Sequence, residues 1–274
     1  MAKRKGETVK AALTALALLA WSLSFASSPQ EGTPSEPRGK GVAIECQSSG
    51  PFNVNSYLVY DKLSGEAALI DAGSAVDRLL AVSESAGLSL KYIFLTHGHQ
   101  DHVAGLAAVR AKFPEARLCY SRQEFEDGRQ YHDWRNLFDA RSVASWEADP
   151  GIVALMDCDY GKIPAPDVDL RDGQVLQLGS LAVTALMTPG HSRGGMTFSA
   201  DGTLFPGDLI LYHATGYLNY PLCSREGIGA SIGKLYAGFP NETVLRSGHG
   251  EPSTIGYEKA HNRNVTAAGA NWSE

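Results

Sequence analysis

The stretch LTHGHQDH, residues 95–102, places three histidines and an aspartate within six positions. The apolar run KYIFL leads into it and is typical of a buried strand. The whole chain has 8 histidines, so three of them in one turn favour a metal site over a solvated polar turn. A fold that uses such a site has to bring further ligands to the end of the same strand.

Apolar runs separated by turn residues predict strands that alternate with helices. SYLVYD and EAALIDAG, joined by KLSG, predict a β-hairpin, and AVDRLLAVSESAGL and VAGLAAVRAKFP predict two helices. QVLQLG, LAVTALMT, GMTFSA and TLF are later strands, and Asp201-Gly202 is a hairpin turn between the last two. Continuous apolar strands that alternate with helices are typical of a sheet covered by helices.

Three more candidate ligands each follow a predicted strand. His191 in TPGHS follows LAVTALM, Asp208 in FPGD follows TLF, and His249 in SGHG follows TVLRS. Glycine or proline adjoins most of these residues, and the resulting tight turns let side chains converge at a sheet edge. Five histidines and two aspartates are more ligands than one zinc ion takes, so they indicate two metal ions with Asp208 bridging.

The donor types in this set predict a hydrolytic metal centre. Imidazole and carboxylate without thiolate suit zinc, iron or manganese, and zinc is our expectation. A water shared by two such ions loses a proton near neutral pH, which gives a metal-bound hydroxide that can attack an acyl carbon. Asp101 and Asp208 are the expected catalytic carboxylates. Cys223 has no motif-placed histidine partner, so we expect no covalent acyl-enzyme.

The motifs THGHQDH, TPGHS, FPGD and SGHG, in this order, resemble those of the metallo-β-lactamase superfamily over residues 42–260. The resemblance implies an α/β fold, an αββα sandwich with the metals at one edge of its two sheets. The ligand sets that it implies are His97, His99 and His191 for the first metal, Asp101, His102 and His249 for the second, and Asp208 for both. It also implies that Asp71, in LIDAG, supports the ligand cluster from behind.

Within this superfamily the chain resembles the glyoxalase II branch, which hydrolyses thioesters such as hydroxyacylglutathione. Asp208 stands where many zinc β-lactamases have cysteine or serine, and the tail GHGEPSTIGYEKAHN also resembles that branch. Two departures leave the substrate open: about 25 residues follow His249, too few for the helical domain that holds glutathione there, and the chain has features of an exported protein. The alternatives are a β-lactamase or lactonase, a single-iron persulfide dioxygenase, and a metal-binding protein without turnover.

The N-terminus differs in composition from the rest of the chain. Basic MAKRKGETVK precedes the apolar run AALTALALLAWSLSFA, and Pro-, Ser- and Gly-rich residues follow. We predict a cleaved signal peptide at 1–26, a flexible linker at 27–41 and the hydrolase domain at 42–274, with an uncleaved anchor as the alternative. The protein would then be periplasmic or secreted, without membrane attachment after cleavage.

The remaining features concern partners and access to the site. A net charge of -6 lacks the basic character of a nucleic-acid-binding protein, so the expected partner is a small-molecule substrate; nothing indicates the oligomeric state. Four cysteines without CxxC spacing leave free thiols or one disulfide open. Residues 121–167 interrupt the strand pattern and are predicted to be an insertion, a candidate lid. Candidate substrate contacts after Asp208 are Tyr212, Tyr217, Tyr220 and Arg225.

We predict that the mature protein begins near Ser27, because small residues follow the apolar run there. Mass analysis of protein from an exporting bacterial host should find this new N-terminus. Intact chains that start at Met1 and sediment with membranes would instead identify an anchor.

Overall fold

The structure is a computed structural model that describes residues 41–272. The predicted signal peptide and all of the predicted linker except Gly41 lie outside these residues. Within the described range, no helix combines the length and the apolar character needed to cross a membrane. All four cysteines of the chain are free thiols.

The first sheet has six strands whose spatial order follows the chain. They are β1 Val42–Ser49, β2 Val54–Asp61, β3 Glu66–Ile70, β4 Ser89–Phe94, β5 Arg117–Tyr120 and β6 Val168–Asp169. The pairs β1–β2 and β2–β3 are antiparallel, and β3 to β6 run parallel. Helices α1 Asp77–Ser85, α2 Gln100–Val103 and α3 Leu106–Lys112 connect its parallel strands.

The second sheet also has six strands, in the order β12-β11-β10-β9-β8-β7. They are β7 Gln174–Leu178, β8 Leu181–Met187, β9 Met196–Ala200, β10 Thr203–Phe205, β11 Val244–Leu245 and β12 Ser253–Thr254. Helices α8 Arg225–Gly238 and α9 Ile255–His261 belong to this half, and β13 Val265–Thr266 pairs with β14 Gly269–Ala270 near its end. The Thr254 hydroxyl accepts the Tyr257 amide N–H and caps the start of α9.

The two sheets pack face to face, and helices cover their outer faces. Apolar side chains of both sheets share one core, in which the Phe94 and Phe198 rings lie 4.7 Å apart. A second core joins the first sheet to α1 and α3, and a third joins the second sheet to α8 and α9. In β2, Leu58 faces the helices and Val59 faces the other sheet, which explains the continuous apolar run. The predicted αββα sandwich is confirmed.

Residues 121–167 connect β5 to β6 and form a set of short helices. These are α4 Arg122–Gly128, α5 Trp134–Leu137, α6 Ala140–Glu147 and α7 Pro150–Met156, with 3-10 turns at Arg129–Asp133 and Tyr160–Lys162. Side chains of Ser121, Asp139 and Asp149 accept amide N–H groups at the starts of α4, α6 and α7. We call this segment the insertion.

Two features of the first sheet differ from the sequence analysis. Strand β1 was not predicted, because it is a half-buried edge strand without a clear alternation of apolar and polar residues. The helix predicted over VAGLAAVRAKFP is interrupted near its start, because only Val103 of that range belongs to α2 and α3 begins at Leu106. Gly105 lies at the division and donates its amide N–H to the carbonyl of Ala72 at 2.9 Å.

Gly105→Ala should destabilise the fold, because a Cβ there would lie 2.0 Å from the carbonyl oxygen of Gly73. Relieving such a backbone clash costs about 1–3 kcal/mol, which urea unfolding should show as a lower midpoint. Gly233→Ala in α8 is the matched control, because a Cβ there meets nothing within 4 Å. The control should be neutral or more stable by about 0.5–1 kcal/mol. Equal midpoints for the two variants would contradict the prediction.

Candidate metal centre

The seven predicted ligands meet at one edge of the two sheets, where their strands end. Three groups of them have potential ligand atoms within 4.8 Å of one another: His97, His99 and His191; His97, His102 and Asp208; and Asp101, His102 and His249. The first and third groups coincide with the two sets that the sequence resemblance implied. The second group contains Asp208 and lies between them.

The donor atoms of this cluster suit metal ions. The five histidines are between 0% and 5% exposed. Buried nitrogen and oxygen atoms without a hydrogen-bond partner include His97 Nε2, His99 Nε2, His102 Nε2, His191 Nδ1 and Asp208 Oδ1. Leaving a buried polar atom without a partner costs free energy, so their concentration at one place is accounted for by coordination of cations.

Hydrogen bonds to Nδ1 of three of the histidines determine which ring nitrogen is available to a metal. The Nδ1 atoms donate as follows: His97 to Thr96 Oγ1 at 2.9 Å, His102 to Asp71 Oδ2 at 2.8 Å, and His249 to the carbonyl of Phe52 at 2.9 Å. Each Nδ1 therefore carries the proton when the imidazole is neutral, and each Nε2 keeps a lone pair for a metal.

The carboxylate of Asp71 joins the end of β4 to α2. Its Oδ1 accepts the Thr96 amide N–H at 2.7 Å, and its Oδ2 accepts the Thr96 hydroxyl and His102 Nδ1, both at 2.8 Å. Asp71 is 2% exposed and adopts a φ of 57°, which is uncommon for a residue other than glycine. The structure thus places Asp71 behind the cluster, in contact with a predicted ligand.

Charge within the cluster is divided between its two sides. Burial, reinforced by neighbouring imidazoles, lowers the pKa of His97 and of His99 well below the ordinary value. Burial also lowers the pKa of His249, but Asp208 and Asp101 outweigh it and raise that pKa to about 10. His249 Nε2 lies 3.1 Å from Asp101 and 3.4 Å from Asp208. Neutral imidazoles therefore dominate one side, and carboxylates paired with imidazoles dominate the other.

Glu124 of α4 is a functional candidate that the sequence analysis missed. Its Oε2 accepts the Gly98 amide N–H at 2.8 Å and its Oε1 accepts the Gly194 amide N–H at 2.7 Å. The residue is 1% exposed, and burial raises the pKa of its carboxyl despite these bonds. Gly98 separates two predicted ligands and Gly194 follows His191 in the chain, so the insertion holds both ligand loops. Glu124 lies in EFEDG, which matches no motif.

The four predicted substrate contacts lie in different surroundings. The Tyr220 ring stacks on the His99 ring with centroids 3.6 Å apart, and its hydroxyl donates to Gln100. Tyr212 instead stacks on Tyr257 of α9, with centroids 5.4 Å apart. Tyr217 is half-buried, and Arg225 is exposed at the first residue of α8. The structure thus brings Tyr220 onto a predicted ligand.

Two side chains that could act as covalent nucleophiles are in unsuitable settings. Ser192 lies in GHSRG, residues 190–194, which has the Gly-x-Ser-x-Gly spacing of a nucleophile elbow. An elbow joins a strand to a helix and exposes its serine, whereas this turn joins β8 to β9 and Ser192 is 1% exposed. Burial raises the pKa of Cys223 to about 11, so its thiol stays protonated near neutral pH.

A sequence profile of the metallo-beta-lactamase superfamily matches residues 49–249. The match covers more than half of the 274 residues and includes every ligand of the cluster. The chain belongs to the metallo-beta-lactamase superfamily.

Two relatives carry the name hydroxyacylglutathione hydrolase. GloC of Haemophilus influenzae is 26% identical over 221 residues, which cover 77% of this chain and 92% of that protein. The protein of Cereibacter sphaeroides is 30% identical over 214 residues, which cover 76% of this chain and 65% of that protein. The chain therefore spans nearly all of the first relative and about two thirds of the second.

Solved structures share the fold over most of the chain. BLEG-1 B3 metallo-beta-lactamase has a TM-score of 0.63 and 25% identity, covering 81% of this chain and 98% of that chain. TTHA1623 in a di-iron-bound form has a TM-score of 0.61 and 27% identity, covering 80% of this chain and 98% of that chain. ETHE1 from Myxococcus xanthus has a TM-score of 0.62 and 23% identity, covering 82% of this chain and 85% of that chain. At this identity the similarity shows a shared fold only.

Glu124→Gln should weaken metal binding, because the amide NH₂ of glutamine cannot accept one of the two backbone N–H groups. Loss of a partner that orients metal ligands typically costs 10–100-fold in affinity, so we expect at least about tenfold. Competition with a chelator measures the affinity, and circular dichroism checks the fold. Glu126→Gln is the matched control, because Glu126 is an exposed residue of the same helix. Wild-type affinity in Glu124→Gln would show that these bonds do not position the ligands.

Proposed function

We propose that the protein is a hydrolase that uses two divalent metal ions to cleave an acyl bond, and that its substrate is a thioester. The observation that carries the proposal is the position of Asp208 between the two histidine groups. Asp208 Oδ1 lies 3.4 Å from His102 Nε2, and its Oδ2 lies 3.7 Å from His191 Nε2 and 3.4 Å from His249 Nε2. One carboxylate is therefore close to ligands of both predicted metals.

The residues that would hold the ions are His97, His99 and His191 on one side, Asp101, His102 and His249 on the other, and Asp208 between them. Two divalent ions at such a site would lower the pKa of a bound water toward about 7 and would polarise the acyl carbonyl. Zinc is our proposal for the metal, and the di-iron form of TTHA1623 makes iron the alternative.

The protein's own groups keep this centre ready for hydrolysis. Burial opposes ionisation of Asp208, but His249 and His102 outweigh it and hold the pKa of its carboxyl well below the ordinary value. Asp208 is thus an anion at neutral pH, as a bridging ligand has to be. The Asp101 side chain is 14% exposed and, among the cluster carboxylates, the more open to solvent. We assign to it the orientation of the attacking water through its carboxylate oxygens.

Support for a thioester comes from Asp208 and from the two relatives named hydroxyacylglutathione hydrolase. A β-lactam is the second candidate substrate. It is supported by the fold similarity to the BLEG-1 B3 metallo-beta-lactamase, at 25% identity. Both substrates undergo the same attack on an acyl carbon. Selectivity between them therefore depends on the residues that surround the ligand cluster.

Asp208→Ala should lose at least one of the two bound metals, and its activity should fall more than about 100-fold. Loss of a residue that only orients a ligand typically costs about 10–100-fold, and loss of the ligand itself should cost more. Metal content by mass spectrometry and thioester hydrolysis on the same sample measure both. Cys223→Ser is the control and should keep wild-type activity. Full metal and full activity in Asp208→Ala would refute the bridging role, and one iron per wild-type chain would favour a persulfide dioxygenase.

The substrate assignment has a separate test. Zinc-loaded protein should cleave an acyl-glutathione thioester with a higher kcat/KM than nitrocefin. Both assays should use one preparation, with His99→Ala as the inactive reference. A preference for nitrocefin would replace the thioester assignment by β-lactam hydrolysis and leave the metal-dependent chemistry in place.

A further inference from the structure

Four aromatic side chains from separate segments form a continuous track beside the ligand cluster. Phe52 lies between β1 and β2, Trp146 in α6, Phe138 before α6, and Tyr220 in the loop after Asp208. Ring centroids lie 6.2 Å apart for Phe52–Trp146, 4.8 Å for Trp146–Phe138 and 5.0 Å for Phe138–Tyr220. We call these four residues the aromatic track.

Each end of the aromatic track adjoins a predicted metal ligand. At one end, Tyr220 stacks on His99. At the other end, the carbonyl of Phe52 accepts the hydrogen bond of His249 Nδ1 at 2.9 Å. His99 and His249 belong to different ligand groups. Through the Tyr220 ring and the Phe52 backbone, the track therefore contacts a ligand of each predicted metal, with the insertion supplying its middle.

The rings of the track are not the buried core of the insertion. Trp134 and Tyr131 fill that core and are 0% exposed, whereas all four track rings are half-buried. Three successive ring pairs meet edge to face, at interplanar angles of 63°, 71° and 80°. Such pairs fix the rings relative to one another. Partly exposed aromatic rings next to a reaction centre are a common feature of small-molecule sites.

The guanidinium groups of Arg135 and Arg193 are engaged with protein carboxylates. Arg135 of α5 donates to Glu147 at 2.8 Å and to Asp157 at 2.7 Å. Arg193 donates to Asp127 of α4 at 2.9 Å. These guanidinium groups are therefore neutralised by protein carboxylates. The track presents ring faces and edges, which recognise apolar and aromatic groups.

We propose that the aromatic track binds an aromatic group of the substrate, so that the preferred substrates are thioesters with an aromatic ring near the scissile carbonyl. This proposal rests on the proposed function, because the substrate is taken to react at the ligand cluster. The ring can belong to the acyl group or to the thiol, and the two arms below distinguish these sources.

The kinetic test compares matched thioesters on the full, metal-loaded chain. S-phenylacetyl-N-acetylcysteamine carries the ring on the acyl side, S-acetyl benzyl mercaptan carries it on the thiol side, and S-acetyl-N-acetylcysteamine has none. We expect at least one aromatic thioester to have a kcat/KM about tenfold above the ring-free one. Trp146→Ala should lower that value about tenfold through KM and change the ring-free thioester less than twofold. Trp146→Phe should restore most of the preference.

Trp272→Ala is the matched control, because Trp272 is half-buried against the third core beside α8. It should leave the preference intact. Equal kcat/KM values for aromatic and ring-free thioesters would overturn the proposal. So would a Trp146→Ala variant that loses activity equally on all three.

A binding measurement separates this proposal from the proposed function. Calorimetry should find phenylacetate bound about tenfold more tightly than acetate by metal-loaded protein, with the difference lost in Trp146→Ala. This result without thioester hydrolysis would refute the thioesterase and support the track. Hydrolysis without any difference between the two acids or the matched thioesters would support the hydrolase and refute the track.

Discussion

The carboxylate of Asp71 is the group on which the organisation of the site depends. It accepts bonds from the Thr96 backbone, the Thr96 hydroxyl and His102, and the Thr96 hydroxyl in turn accepts from His97. One buried side chain thus sets the ring orientations of two predicted ligands. The backbone around it is held as firmly: the Asp71 amide donates to Phe94 at 2.8 Å and the Ala72 amide to His102 at 2.9 Å. The φ of 57° at Asp71 persists because these contacts fix it.

The insertion is joined to the metal centre as well as to the aromatic track. Glu124 holds the loops that carry His99 and His191, and the Tyr160 hydroxyl donates to the Gly98 carbonyl at 2.9 Å. Contacts of this kind fix the geometry of the loops that carry the predicted ligands. Changes at Glu124 or Tyr160 are therefore expected to affect metal affinity.

The apolar strand runs predicted a sheet covered by helices and the histidine motifs predicted the ligand cluster, because both leave local patterns, whereas the αββα sandwich was implied by the resemblance to the superfamily. His97, His99 and His102 lie in one turn, and the strands of both sheets are continuous apolar runs. Sequence reasoning missed β1, whose half-buried edge position leaves a mixed pattern, and Glu124, whose partners Gly98 and Gly194 are distant in the chain. It named four contacts after Asp208, but only the fold shows that Tyr220 stacks on a ligand while Tyr212 packs on α9.

The ligand cluster and the aromatic track differ in how far the sequence can predict them. A metal centre needs several donors within a few ångströms, and short turns at strand ends supply them from compact motifs. Recognition of a substrate's apolar part requires only that rings meet, and Phe52, Tyr220 and the insertion's Phe138 and Trp146 do so from three segments. No spacing in the sequence encodes such a surface. The motifs of this chain therefore indicate the metal-ligand set, whereas the proposed preference for an aromatic thioester rests on how the insertion packs against two loops.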